Sequence, residues 1–325
     1  MDRSRRGFLR LAASAAVFQS TPWVARAGAY PSRPVRLVTG FAAGSGSDIL
    51  ARLIAGWLGQ RLGQPFVVEN KPGAGTNIAT EAVVRAAPDG HTLLMVSPAN
   101  AINATLYPRL NFDFRHDIAP VASLMRTPNV LVVNPSLPVG SVAELIAHAK
   151  AHPGALGMAS AGNGSASHMA GELLKMMAGI DLVHVPYRGG GPALADLIAG
   201  QVQLMLPTLT AAVGHIRSGS VRALALTTAQ RSAALPNVPT VGEFLPGYES
   251  SVVDGVGAPK ETPPEIIATL NREINAALVD AGITARLAEF GGTALTGSPA
   301  AYGTLIGEET EKWAKVVKYA GARVE

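Results

Sequence analysis

The stretch "LVTGFAAGSGSDILARLIAGWL", Leu37 to Leu58, sets an apolar strand against an amphipathic helix with only a glycine-serine loop between them. Ser47 can cap that helix and Asp48 suits the positive end of its dipole. Ile49, Leu50, Leu53, Ile54, Trp57 and Leu58 form one apolar stripe, and Gly63 ends the helix. A turn of this kind leaves free N–H groups at the carboxyl end of a strand, where open α/β sheets seat anions. It is not a phosphate loop, because it has no Lys, nor a dinucleotide fingerprint, because Ile49 replaces the third glycine. No Gly-x-Ser-x-Gly nucleophile elbow occurs at the turn either. Taken alone, the loop fits an anion seat and a tight turn that needs glycine only for its backbone angles equally well.

Working outward, the same alternation recurs. Short aliphatic runs at 35–41, 66–70, 91–97, 129–134, 155–160, 182–186, 202–206 and 221–228 predict strands. Helical patterns lie near 48–62, 76–86, 141–151, 166–178, 192–199, 211–218, 263–280 and 299–319. Strand and helix in alternation predict an α/β protein, with apolar strands buried in parallel sheets covered on both faces. The proline-rich segments "TPNVLVVNPSLPVGS" and "LPNVPTVGEFLPGYE" flank the middle of the chain. They mark two crossings between lobes. Residues 28–127 with 246–325 are expected to form one discontinuous domain, to which the C-terminal helices return, and 128–245 the other.

Two more strand–loop–helix units resemble the first. "ALGMASAGNGSASHMAGELLKMMAG" carries a Gly-Ser-Asn loop from Ala161 to Ser167, and in "VHVPYRGGGPALADLIAG" Pro192 suits a first helical turn. Two helix N-termini from different lobes could clamp a carboxylate from both sides. A helix terminus contributes about 0.3–1 kcal/mol to an anion and each charge-assisted hydrogen bond roughly 1.5–3 kcal/mol. After ordering costs, a few such contacts reach the ~8 kcal/mol of a micromolar binder without any Arg clamp.

Catalysis is harder to assemble. Ser165 or Ser167 with His168 is the one arrangement that could serve an exported hydrolase of small esters or amides, although His168 sits where a first-turn capping residue is expected. His148 and His152 have the i, i+4 spacing of a metal pair, but no third ligand accompanies them and Pro153 ends the helix, so a solvated face is expected. His184 lies in an apolar strand and is expected to be a satisfied core or cleft histidine. Met176, Met177 and Met205 read as core filler. The reading is of a protein that is not an enzyme and needs no cofactor or metal.

Several long motifs then point one way. The segment from "YPSRPVRLVTGFAAGSGSDILARL" through "KPGAGTNIATEAVVRAAPDGHTLLM" resembles the start of the Bug (TctC-like) family of periplasmic solute receptors. "SAGNGSASHMAGEL", "VHVPYRGGGPALADLIAGQVQLM" and "RSAALPNVPTVGE" continue the likeness, which covers essentially residues 30–320. The resemblance implies a type II periplasmic-binding-protein-like fold, two lobes of mixed sheet flanked by helices, with a ligand cleft between them. It implies a small carboxylate held largely by backbone N–H groups of two loops. Those are Phe41 to Asp48, with Gly44, Ser45, Gly46 and Ser47, and Gly162 to Ser167, with Asn163, Gly164, Ser165 and Ala166. The Ser97–Asn103 loop with Asn100, the Tyr187–Gly190 stretch with Gly189, and the segment after Met205 with Thr208 would line the remainder. The partners so implied are permease subunits of a tripartite tricarboxylate transporter or a sensor kinase ectodomain, with the receptor itself a monomer. Two departures bear on the ligand. Leu206, Pro207 and Thr208 replace the family's usual aromatic, Asp and Asn, and Val253 and Asp254 replace an aromatic pair. Asp254 is either a cleft acid that pairs with an amine or donor on the ligand, or a solvated loop acid.

Composition agrees with an exported globular protein. Apolar residues make up 48% and charged residues 15%, and there is no cysteine, hence no thiolate nucleophile or zinc-thiolate site. The net charge of +4 belongs to the leader: five of the 27 basic residues and one of the 23 acidic ones precede residue 28, leaving 22 of each. A neutral mature chain offers no basic stripe for nucleic acid. "SRRGFLR" resembles a twin-arginine export motif, Leu11 to Phe18 is mildly apolar and too short to span a bilayer, and Ala25-Arg26-Ala27 has the form of a cleavage site. Intact-mass measurement of the exported protein is expected to find Gly28 as the first residue; a chain retaining residues 1–27 would refute cleavage.

Overall fold

The computed structural model describes residues 30–324, so the leader expected over 1–27 lies outside the described residues. Two separate sheets account for the strands. The first has the order β11-β4-β10-β3-β1-β2, with β1 Val35–Thr39, β2 Phe66–Asn70, β3 Thr92–Val96, β4 Ile118–Pro128, β10 Ser251–Pro259 and β11 Thr293–Ala294. The second has the order β7-β6-β8-β5-β9, with β5 Val130–Val133, β6 Gly157–Ser160, β7 Val183–Pro186, β8 Leu204–Met205 and β9 Arg222–Leu226. Each is parallel on one side and antiparallel on the other. In the first, β1 pairs in parallel with β2 and β3, while β10 runs antiparallel to β3 and β4. In the second, β6 is parallel to β7 and β8, while β5 is antiparallel to β8 and β9. The architecture is the expected two-lobed α/β fold with mixed sheets.

Val35, Leu37 and Val38 of β1 are fully buried, for a direct reason. Leu37 packs with Leu50, Ile54 and Leu58 of α1 (Gly46–Leu62) and Ile274 of α9 (Pro264–Leu278) on one face. Its neighbour Val38 packs on the other face with Ala79 and Val83 of α2 (Asn77–Val84) and Tyr302 of α11 (Pro299–Ala320). With both faces covered, β1 shows no regular polar alternation, and only Arg36 reaches solvent. The remaining helices are α3 Pro98–Leu106, α4 Phe114–Asp117, α5 Val142–Ala151, α6 Ala166–Ala178, α7 Gly190–Ile198, α8 Leu209–Arg217 and α10 Ala281–Glu289.

Several segments differ from the sequence reading. β4 carries Pro120 and Pro128, and β10 carries Asp254, Gly255 and Gly257; these are residues that local propensity keeps out of strands. Their pairing with each other overrides that preference, with register shifts at Asp254/Gly255 and Val256/Gly257. The Ser97–Asn103 stretch, expected as a loop, is instead the start of α3, with Pro98 in its first turn and the Asn100 side chain accepting from the N–H of Ser97. The C-terminal helix is shared between lobes. Tyr302 in its first half packs on the first sheet, whereas Trp313, Val316 and Val317 join Met169, Leu173 and Leu174 of α6.

The chain passes from the first sheet to the second at Asn129 and returns through the segment that ends at Ser250. The two passages are hydrogen-bonded side by side. Thr227 N–H donates to the Asn129 carbonyl (3.0 Å), Asn129 N–H donates to Thr227 Oγ1 (2.9 Å), and Ser250 N–H donates to the Thr227 carbonyl (2.8 Å).

At the end of β1 the chain turns at Gly40, directly under Thr76. A Cβ at Gly40 would stand 2.4 Å from the Thr76 Cβ and 2.7 Å from its Cα, contacts that the backbone would have to relieve. Gly40→Ala is therefore expected to destabilise the protein by roughly 1–3 kcal/mol, with a lower thermal midpoint; an unchanged midpoint would show that the 73–77 loop is not seated on Gly40.

Candidate functional site

The opening loop is organised by Asp48. Its carboxylate accepts from the Gly44 N–H (2.8 Å), from Arg52 Nε and Nη2 (both 3.0 Å) and from Asn70 Nδ2 (2.8 Å). Asn70 Nδ2 also reaches the Phe41 carbonyl (3.0 Å), so both ends of the loop are tied to one amide. The fork of Arg52 is the main reason the Asp48 pKa falls to about 2, aided by the Gly44 and Asn70 bonds and opposed by burial. Ser45, not Ser47, is the cap: its hydroxyl accepts from the Asp48 N–H at 3.3 Å. The next two N–H groups, those of Gly46 and Ser47, have no protein acceptor among the described residues. Gly44 and Gly46 are exposed and Ser45, Ser47 and Phe41 half-buried. The acid at this turn holds the loop, and the bare amides are what it offers outward.

The second loop repeats the design on the other sheet. Ser165 caps α6 by accepting from the His168 N–H at 3.3 Å, and its hydroxyl donates to the Gly162 carbonyl at 2.7 Å. Ser167 Oγ accepts from the Ala161 N–H (3.0 Å). The N–H groups of Ala166 and Ser167 have no protein acceptor among the described residues. Asn163 is exposed at the tip, while Gly164 is buried against α3: a Cβ there would lie 2.2 Å from Leu106 Cδ2. Both α3 and α6 pack against β10, so the two sheets approach one another around these elements.

Behind this loop stand two histidines. The rings of His168 and His184 are stacked, 3.7 Å between centroids and 10° from parallel. His168 Nδ1 accepts from the Gly164 N–H at 3.1 Å, and His184 Nε2 lies 2.6 Å from Ser160 Oγ, which accepts from the Gly162 N–H at 3.1 Å. Burial lowers both pKa values, to about 3 for His168 and about 4 for His184, so both rings are neutral at pH 7. His168 makes no hydrogen bond to Ser165 Oγ or Ser167 Oγ through its ring. It is not set as a base for either serine. The one serine hydroxyl bonded to a histidine ring among the described residues, Ser160, is fully buried.

The other expected residues fall as follows. Ser97 and Asn100 are buried in their own capping contact, and Asn100 Nδ2 donates to Thr80 Oγ1 at 2.8 Å. Tyr187 donates to Asp196 Oδ2 (2.7 Å), and its carbonyl lies beside Gly162; Gly189 caps α7. Thr208 precedes α8 and bridges to Asn129 at the crossing. His148 and His152 lie with tilted rings, 4.6 Å between centroids, at the C-terminal end of α5, and no metal-competent cluster of three ligands occurs among the described residues. Two groups the sequence did not single out border the first loop. Arg52 and Asn70 hold Asp48, and the strained "PGAGTN" turn, with Thr76 at φ 82°, seats on Gly40. The run of Gly, Ala and Gly after Pro72 was the signal for the latter.

Asp254 is in a strand and 4% exposed, so it is not a solvated loop acid. Its Oδ1 accepts from Ser47 Oγ at 3.1 Å, which brings it to the first turn of α1. Burial drives its pKa up to about 7, and the Ser47 bond opposes this only in part. The folded protein therefore holds a proton here that the unfolded chain releases near pH 4, so this group costs stability as pH rises from about 4 to 7. Asp254→Asn is expected to raise the melting temperature at pH 8 and to leave it unchanged near pH 4; a gain independent of pH would show that Asp254 is charged in the fold throughout.

Comparison with known proteins agrees with this geometry. The sequence profile described as the tripartite tricarboxylate transporter family receptor (TctC) matches residues 50–322. Protein BugT of Bordetella pertussis is 38% identical over 322 residues, 97% of this chain and 99% of that protein. Among solved structures, Rpa4515 of R. palustris with adipate superposes with a TM-score of 0.81 at 39% identity, covering 90% of this chain and 98% of that one. MatC of Rhodopseudomonas palustris with bound malate gives 0.78 at 35% identity, covering 89% and 100%. Built from two sheets that each present a capped helix with bare leading amides, and matched along most of its length, the chain belongs to the TctC (Bug) family of tripartite tricarboxylate transporter receptors.

Proposed function

We propose that the protein is a periplasmic receptor that closes its two lobes on a small carboxylated metabolite and delivers it to the permease subunits of a tripartite tricarboxylate-type transporter. The observation that carries this is the duplication of one anion seat. The N–H groups of Gly46 and Ser47 on the first lobe and of Ala166 and Ser167 on the second are left without protein acceptors at the positive ends of α1 and α6. Relatives with adipate or malate bound support the ligand class. Among the described residues, 30–127 with 246–324 are assigned to the lobe of the first seat and 128–245 to that of the second, with the second half of α11 reaching across to α6. Asp48 acts from behind, keeping the amides outward. The receptor works as a monomer and does no chemistry on its ligand: Ser165 is committed to capping α6, Ser167 to the Ala161 amide and His168 to the Gly164 amide. No helix among the described residues is long and apolar enough to cross a membrane.

Asp254 refines the ligand. A ligand carboxylate on the Ser47 amide would sit close to a second carboxyl group, and like charges in one buried place are costly. Asp254 is relieved either by keeping its proton or by pairing with an ammonium or other donor on the ligand. Amino-substituted acids are therefore favoured over their unsubstituted counterparts as pH rises above 7.

A thermal-shift panel of mono-, di- and tricarboxylates, amino acids and aromatic acids tests the reading. A true ligand at about 100 times its dissociation constant adds roughly 2.7 kcal/mol. If neutral solutes shift the melt and no carboxylate does, the anion-clamp assignment is wrong. Asp254→Asn is expected to weaken amino-substituted acids about tenfold and to spare or improve unsubstituted ones; equal losses for both would remove Asp254 from the site.

A further inference from the structure

We propose that the stacked pair His168 and His184 positions the second anion seat, the Gly162–Ser165 turn, His168 fixing the Gly164 amide directly and His184 fixing the Gly162 amide through the Ser160 hydroxyl. The inference rests on the reading of that turn as a carboxylate seat. The turn faces a physical difficulty. It must keep the N–H groups of Ala166 and Ser167 bare, yet its own preceding N–H groups need acceptors, or they would compete for the ligand or turn inward unpaired. Two of them are satisfied from behind. Gly164 N–H donates to His168 Nδ1 (3.1 Å), and Gly162 N–H donates to Ser160 Oγ (3.1 Å). The Ser160 hydroxyl is in turn 2.6 Å from His184 Nε2.

Ser160 Oγ reaches two acceptors, His184 Nε2 at 2.6 Å and the Gly162 carbonyl at 3.3 Å, and the shorter contact takes its proton. If the Gly162 amide donates to Ser160 Oγ and the hydroxyl donates onward, His184 Nε2 is an acceptor and its proton sits on Nδ1. His168 Nδ1 is an acceptor by its contact with an amide, so its proton sits on Nε2, which faces Glu172 Oε1 at 3.7 Å. Glu172 is anchored in turn by Lys175 at 3.0 Å. The rings lie face to face at 3.7 Å, so moving one displaces the other, and the two amides are set as a unit. The low basicity that burial gives both imidazoles keeps the lone pairs available.

His168 thus contributes in two separable ways, as a ring that packs on His184 and as an acceptor that places Gly164. Phe keeps the first and removes the second. Asn removes the ring but puts Oδ1 where Nδ1 stood. Isothermal titration with adipate and with malate, alongside thermal melts, distinguishes these contributions. The expected result is that His168→Phe melts near the wild-type temperature and binds about tenfold more weakly, whereas His168→Asn melts lower and binds within about threefold of wild type. Ser160→Ala, at a fully buried site on the other branch, is expected to weaken binding by a similar factor while changing little volume. Wild-type affinity in both His168→Phe and Ser160→Ala overturns the inference and leaves the receptor reading standing. Affinity that simply follows the melting temperature across the three variants overturns it too. Absence of saturable binding of any carboxylate to the wild type removes the receptor reading and this inference together.

Discussion

The pairing of Asn129 with Thr227 is the constraint on which the rest depends. Two passages of chain run side by side between the sheets, each using the other's backbone groups, with Ser250 adding the next rung. Buried peptide groups at such a crossing must be paired, and pairing them with one another leaves few ways to set one sheet against the other. Sliding one lobe along this short ladder would break its bonds. Everything at the carboxyl ends of β1 and β6 inherits its orientation from that ladder.

On each lobe the same local solution appears. A serine caps the helix, a glycine-rich turn precedes it, and side chains from behind absorb the turn's own amides. In the first lobe an ionised carboxylate does the work, supported by Arg52 and Asn70. In the second, neutral imidazoles take its place. The difference is physical. Asp48 is buried but paired with an Arg52 that is about half exposed and keeps its own solvation, whereas His168 is buried behind the second loop, where an uncompensated ion would be expensive. Asp254, placed by β10 against Ser47, is a second carboxyl group beside the first loop, and burial raises its pKa towards neutrality.

Much of the fold was legible because its elements announce themselves locally. The eight aliphatic runs each contain one of the strands β1–β3 and β5–β9, and the helix after the opening loop ends at Gly63 as its residues require. β4 and β10 were not legible, since prolines in one and glycines with an aspartate in the other contradict strand propensity, and only their mutual pairing makes them strands. The start of α3 hid in a stretch whose Ser97 and Pro98 look like a loop until the Asn100 side chain closes the cap. Of the site, the two glycine-serine loops could be found by eye. The roles within them could not: Asp48 looked like a ligand contact and is the loop's internal anchor, and His168 looked like a candidate base and is an acceptor for Gly164.

The sequence by itself determined the α/β alternation, the two strand–loop–helix turns, the lack of a phosphate or nucleophile motif and the family resemblance, because each depends on residues close together in the chain. Only the tertiary structure decided that Asn70 reaches Asp48 across 22 positions, that His184 of β7 stacks on His168 of α6, and that Asp254 meets Ser47 across 207. Those contacts set protonation and direction. They come from sheet pairing, which brings distant residues within reach by rules that no local spacing records.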